Sequence, residues 1–180
     1  MTSASDIISL TQLDFLPYID TDGYLPSELQ GKIGVYAIFA LDRTLQFVGY
    51  SRDIYLSLLQ HLIRQPRSCH WLKFQIISRP SRTILEDIRS AWIEENGSIP
   101  PGNAEKDTDW TVPIDTKRTM TEAEKSTYKR LAENDQIKFL KNRARDRENE
   151  LQLILKSRGV AMDIRFNPKL KEQGLLDLKF

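Results

Sequence analysis

One cysteine, Cys69, stands in 180 residues. That count excludes an internal disulfide and a cysteine-based zinc site, and it is compatible with a reducing compartment. Long apolar runs are missing as well. None approaches the roughly 20 residues that a bilayer span requires, and the opening MTSASDIISL lacks a basic stretch followed by a long apolar one. The expectation is a soluble, cytoplasmic chain with no membrane span. Net charge is close to absent, at +1, but it conceals a gradient. Residues 1 to 31 carry five acids and no base, whereas no acid occurs between Asp53 and Glu86, where Arg64, Arg67, Lys73, Arg79 and Arg82 lie. Such a run is either a phosphate-neutralising patch or a set of solubilising charges. The composition, 40% apolar and 28% charged, is that of an ordinary globular protein.

From Lys32 onward the apolar pattern sharpens. IGVYAIFA and LQFVGY are short apolar runs separated by Asp42-Arg43-Thr44, which is a hairpin signal. Ser51 is placed to cap a helix whose Ile54, Leu58, Leu59 and Leu62 recur at helical spacing. WLKFQIIS, from Trp71, predicts a third strand. Ser81 caps a second helix, with Ile84, Leu85, Ile88, Trp92 and Ile93 along one side and a stop near Gly97. The expected class is α+β: a small β-β-α-β-α core over residues 31–105, preceded by an acidic lead-in arm, 1–30, and followed by a polar linker, 106–120. In the last part, 121–180, Thr121 and Glu124 make a capping box that opens one long helix reaching Arg158. Ile137, Leu140, Ala144, Leu151 and Ile154 form a seam on it, which packs on its own domain or pairs with another helix. KNRARDRENE, 141–150, mixes signs and reads as a solvated face. Val160, Met162, Ile164 and Phe166 alternate as in a short half-buried strand, and the tail after Pro168 shows no pattern.

GVY at 34–36, a short turn, FVG at 47–49, SRD at 51–53, a helix holding His61, a second helix, and Asn103 after a proline turn follow one another over roughly residues 31–104. This series resembles the GIY-YIG nuclease superfamily, in an extended form of cyanobacterial and plastid type. The resemblance implies phosphodiester cleavage with one divalent metal held by a glutamate, aided by two tyrosines, an arginine and an asparagine. A hard cation suits a carboxylate, and a developing phosphorane charge suits a guanidinium. Tyr36 stands where the first tyrosine belongs. Phe47 stands in the place of the second, Ser57 in that of the arginine, and Ala91 in that of the glutamate. Tyr50 faces the other side of its strand from Phe47, and Glu94 and Glu95 lie one helical turn beyond Ala91. His61 is either a remnant of the site or a structural histidine.

With a phenol, a guanidinium and a carboxylate replaced, no catalytic residue and no cofactor are expected. The resulting expectation is a GIY-YIG-like module that has lost nuclease activity and binds other macromolecules. DNA or RNA would be held by Arg52, Arg64, Arg67, Lys73, Arg79, Arg82 and Asn103, a protein partner or a second copy by the 137–154 seam. One alternative is an active Mg²⁺- or Mn²⁺-dependent endonuclease using Tyr36, His61, Arg52 and Glu94 or Glu95; another is a structural or assembly protein.

Overall fold

The computed structural model describes residues 6–180, so the first five residues of the lead-in arm lie outside the described residues. The chain divides into two compact units, Met1–Thr111 and Val112–Phe180.

The first unit is built on a four-stranded, wholly antiparallel sheet. Its strands are β1 (Leu16–Pro17), β2 (Gly34–Phe39), β3 (Leu45–Ser51) and β4 (Trp71–Ile76), in the order β1-β4-β2-β3. GVYAIF has no polar side to offer solvent except the tyrosine hydroxyl, so β2 takes a central place with all six residues buried. The hairpin to β3 turns through Arg43 at φ 67, with Asp42 Oδ1 accepting from the Thr44 amide. Helix α1 (Ile54–Arg64) is capped by Asp53, whose side chain accepts from the Leu56 amide. Ser51, the expected cap, instead bonds the backbone of Asp53. Helix α2 (Arg82–Asn96) is capped by Ser81 and stops at Gly97 in the left-handed region, as its sequence predicts.

Strand pleating sends Val35, Ala37 and Phe39 to one side of the sheet and Tyr36 and Ile38 to the other. On the first side they pack with Val48, Leu85, Ile88 and Trp92 under α2. On the second, Tyr36 meets α1. The acidic arm is an integral part of this unit, with Leu10, Tyr18, Leu25 and Leu29 buried. Polar bonds seal it down: Trp92 Nε1 donates to Ile8 O, Lys73 Nζ donates to Leu10 O, and Glu95 accepts from Ser9 Oγ and the amides of Leu10 and Thr11.

Residues 106–111, read in the sequence as the start of a linker, carry a short helix α3 (Asp107–Thr111) with Trp110 buried. A single aromatic anchor in a polar segment leaves no periodic trace, so pattern reading passes over it.

In the second unit, β5 (Ile114–Asp115) pairs antiparallel with β6 (Leu175–Leu176), and a 3-10 turn follows at Thr116–Thr119. The capping box at Thr121 and Glu124 is present. The single long helix is not. Leu131 and Ala132 are extended, splitting the segment into α4 (Glu122–Arg130) and α5 (Glu133–Ser157). Gln136 Nε2 donates to the exposed carbonyl of Tyr128 at the break, and the rings of Tyr128 and Phe139 meet at 5.8 Å. The seam from Ile137 to Ile154 is spent inside the unit. Leu140, Ala144, Leu151 and Leu155 are buried where α5 packs on the 3-10 turn, β6 and the short helix α6 (Pro168–Lys171). It is therefore no free surface for a second copy. The strand expected over 160–166 reduces to one bridge, Phe166 with Leu178, because the unpatterned tail supplies the pairing.

Arg143 ties this unit together. Its guanidinium donates to Thr116 O from both Nε and Nη2, to Thr119 Oγ1, and to Glu124 Oε1 at 2.7 Å. Arg143→Ala is expected to destabilise the unit by about 1–2 kcal/mol, since it strands the carbonyl of the buried Thr116. Faster hydrogen exchange at the α4 amides checks this, and Arg143→Lys should restore only a fraction because an ammonium cannot span the same fork.

Candidate functional site

An open cleft of about 300 Å³ lies at the β3 edge of the first unit, with Tyr36, Phe47, Ser57, His61, Arg64 and Arg89 among its lining residues. At its floor Tyr36, from the centre of β2, meets His61 on α1, with Oη 2.8 Å from Nε2. Burial dominates both groups. It raises the Tyr36 hydroxyl well above the usual phenol range, and the Ser57 hydrogen bond and the charges of Arg64 and Arg89 oppose it only in part. Burial also lowers His61 to about 3, helped by the Arg64 charge and opposed weakly by the Trp110 carbonyl. His61 Nδ1 makes no hydrogen bond of good geometry, so that carbonyl acts as a nearby dipole more than as a partner. A neutral imidazole accepting from a neutral phenol follows. Burial thus favours the neutral form of both groups.

The replacements read from the sequence have structural employment. Phe47 stacks on Trp110 with the rings 1° from parallel and 5.3 Å apart, and His61 sits 4.6 Å from Phe47. Ser57 Oγ donates to Ser51 Oγ. The glycines of GVY and FVG are explained by contact alone. A Cβ at Gly34 would lie 2.2 Å from Gln75 O, and one at Gly49 would lie 2.5 Å from Phe47 Cε1 and 2.8 Å from Tyr36 Oη. At Gly34 the close approach of the β4 backbone requires glycine, whereas at Gly49 the Tyr36 and Phe47 side chains that line the cleft leave no room for a Cβ.

Folding removes two cations from the basic patch. Arg64 is 9% exposed and donates to Trp110 O, and Lys73 is buried with Nζ 4.0 Å from the centre of the Phe15 ring. Arg82 pairs with Glu86. Asn103 brackets Val48, accepting from its amide and donating to its carbonyl, both at 2.8 Å. Of the seven expected nucleic-acid contacts only Arg52, Arg67 and Arg79 remain as exposed side chains without such a structural role. The carboxylates expected for a relocated metal site do not converge either. Glu94 is exposed, and Glu95 is committed to the arm. Burial works to raise the Glu95 carboxyl, but hydrogen bonds from Ser9, Thr11 and Leu10 outweigh it and bring it to about 2. Among the described residues no three His, Cys, Asp or Glu side chains are grouped to hold an ion. Arg89 escaped the sequence reading although it lines the cleft and donates from Nε to Val48 O. Its place next to Ile88, on the buried side of α2, was the available signal.

No family model matches the chain. The chain is similar to a bifunctional monothiol glutaredoxin. This relative, glutaredoxin-S16, chloroplastic, from Arabidopsis thaliana, is 38% identical over 104 residues, which are 56% of this chain and 34% of the relative. The chain thus spans about a third of the length of the relative it matches. That relative is named for glutaredoxin and not for a nuclease, and this overturns the GIY-YIG assignment. The nuclease-derived function, active or lost, falls with it, and the DNA or RNA partner is left without support. The short motifs rest on glycines and aromatics that packing against β4, α1 and α3 employs in this fold.

A thiol chemistry does not fit the chain's own residues. Cys69 is 0% exposed, between α1 and β4, and its Sγ donates to His61 O at 3.6 Å. Reactive thiolates sit in accessible, electropositive surroundings such as helix N-termini. Among the described residues no helix is long and apolar enough to cross a membrane, and the relative is chloroplastic by name.

Proposed function

We propose that this chain is a protein-binding companion module of a glutaredoxin-type system, and that the redox thiol is carried by its partner. The observation that carries the reading is Cys69, the sole cysteine, sealed beneath α1 at 0% exposure. The relative is bifunctional by name and is matched over 34% of its length, which fits a module standing beside a thiol-bearing part. The module is not itself an enzyme in this reading. Its cleft holds a phenol and an imidazole locked neutral against each other, and its two arginines are engaged with backbone carbonyls.

Two measurements test this. Cys69 in the native chain should react with an aromatic disulfide reagent at least about 100-fold more slowly than in denaturant, because reaction requires opening the core. A purified monothiol glutaredoxin from the same source should bind the immobilised chain, and Cys69→Ala should bind it equally well. Fast native modification, or partner binding that vanishes in a folded Cys69→Ala variant, would place the thiol on this chain and overturn the proposal.

A further inference from the structure

The second unit holds a concavity that the sequence reading treated as a solvated face. It measures about 220 Å³ and is lined by Lys141, Arg145, Pro168, Lys169, Lys171 and Glu172. Helical spacing sorts the mixed charges of 141–150. Lys141 and Arg145, one turn apart, point into this concavity, while Arg143, Arg147 and Glu150 line a separate one. From the opposite wall α6 contributes Lys169 and Lys171.

Four cations thus meet, and their partners are unevenly shared. Lys141 Nζ pairs with Glu172 Oε1 at 3.1 Å, and Lys171 Nζ pairs with Glu148 Oε2. Arg145 and Lys169 have no ion pair among the described residues, and both are exposed. The two existing pairs bridge α5 to α6 or to the residue after it, so they hold the walls together. The remaining two cations face solvent from separate, braced elements.

We propose that this concavity binds a carboxylate-rich segment of a partner protein. The chemistry selects that occupant. Carboxylates already seat on two of its lysines, so the geometry suits them. A single exposed pair contributes little, so useful affinity needs a ligand that engages Arg145 and Lys169 together, as neighbouring acidic side chains on one segment do. The lining includes the Pro168 ring and three lysines, whose apolar stems a peptide can cover and a free inorganic anion cannot. The inference concerns the second unit alone and does not depend on the companion-module reading.

The test uses the full chain and a fluorescein-labelled hexaglutamate peptide, followed by anisotropy in about 50 mM salt. Binding is expected with a Kd of about 10–100 μM, weakening steadily as salt is raised. The double variant Arg145→Glu/Lys169→Glu should lose at least about tenfold in affinity with its circular dichroism unchanged, since each reversal replaces attraction by repulsion. Arg79→Glu, in the first unit, should bind as the parent does. No binding by the parent chain, equal binding by the double variant, or displacement of the peptide by an equal concentration of inorganic phosphate would each overturn the proposal, the last by showing a site for simple anions.

Discussion

Trp92→Ala is expected to cost the first unit about 3–5 kcal/mol, a large share of the roughly 5–15 kcal/mol that holds a typical domain together. The side chain is 0% exposed and lies in the cluster where α2 meets Val35, Ala37, Phe39 and Val48. Truncation leaves a cavity that strands of a sheet cannot collapse to fill, because their spacing is set by backbone hydrogen bonds. It also removes the Nε1 donor from Ile8 O, one of the bonds that keep the arm in place. The arm should therefore loosen before the sheet does. Hydrogen exchange checks both steps, with protection lost first around Ile8 to Leu13 and then across β2 and β4. Trp92→Phe separates the two contributions. It keeps most of the packing and gives up the hydrogen bond, for an expected loss of about 1 kcal/mol. Equal effects of the two substitutions would show that the cavity argument is wrong.

Mild acid should destabilise the first unit through His61. Its folded pKa is lowered from 6.5 to about 3, chiefly by burial and then by the adjacent Arg64. The unfolded chain consequently binds a proton that the folded chain refuses between those values. Stability is fully present above about pH 6.5 and declines as the pH falls toward 3, with a limiting loss on the order of 5 kcal/mol. The carboxylates held low by hydrogen bonds, such as Glu95 with its folded value of about 2, act only below their ordinary value of 4.5. Between pH 6.5 and 5 the slope therefore belongs to histidine. His61→Gln retains an acceptor for the Tyr36 hydroxyl but cannot take up the proton. It should be less stable than the parent at pH 8, by about 1–2 kcal/mol, and show no slope between pH 6.5 and 5. Urea unfolding at a series of pH values decides the matter. A parent chain equally stable at pH 8 and pH 4.5 would sink the argument.

Sequence periodicity served well where one face of an element alone determines its fate. The two runs around Asp42 to Thr44 form the hairpin, Ser81 and Gly97 bound α2, and Thr121 with Glu124 make the capping box. Each of these signals acts over a few residues, through a side chain and the backbone beside it. The β-β-α-β-α order and the α+β class follow from them.

Partner choice for charged and aromatic groups was decided by tertiary structure, since it depends on residues distant in the chain. Lys73 and Arg64 look like surface cations until the arm and α3 cover them, 63 and 46 residues away from their hydrogen-bond partners. Trp110 is an isolated residue in a polar stretch until Phe47 gives it a stacking surface. The seam on α5 is free in sequence and buried in the fold, because an unpatterned tail folds back to pair with β5. Local stereochemistry set the elements in this protein; burial, which no single segment determines, set which of its polar groups remain available to meet another molecule.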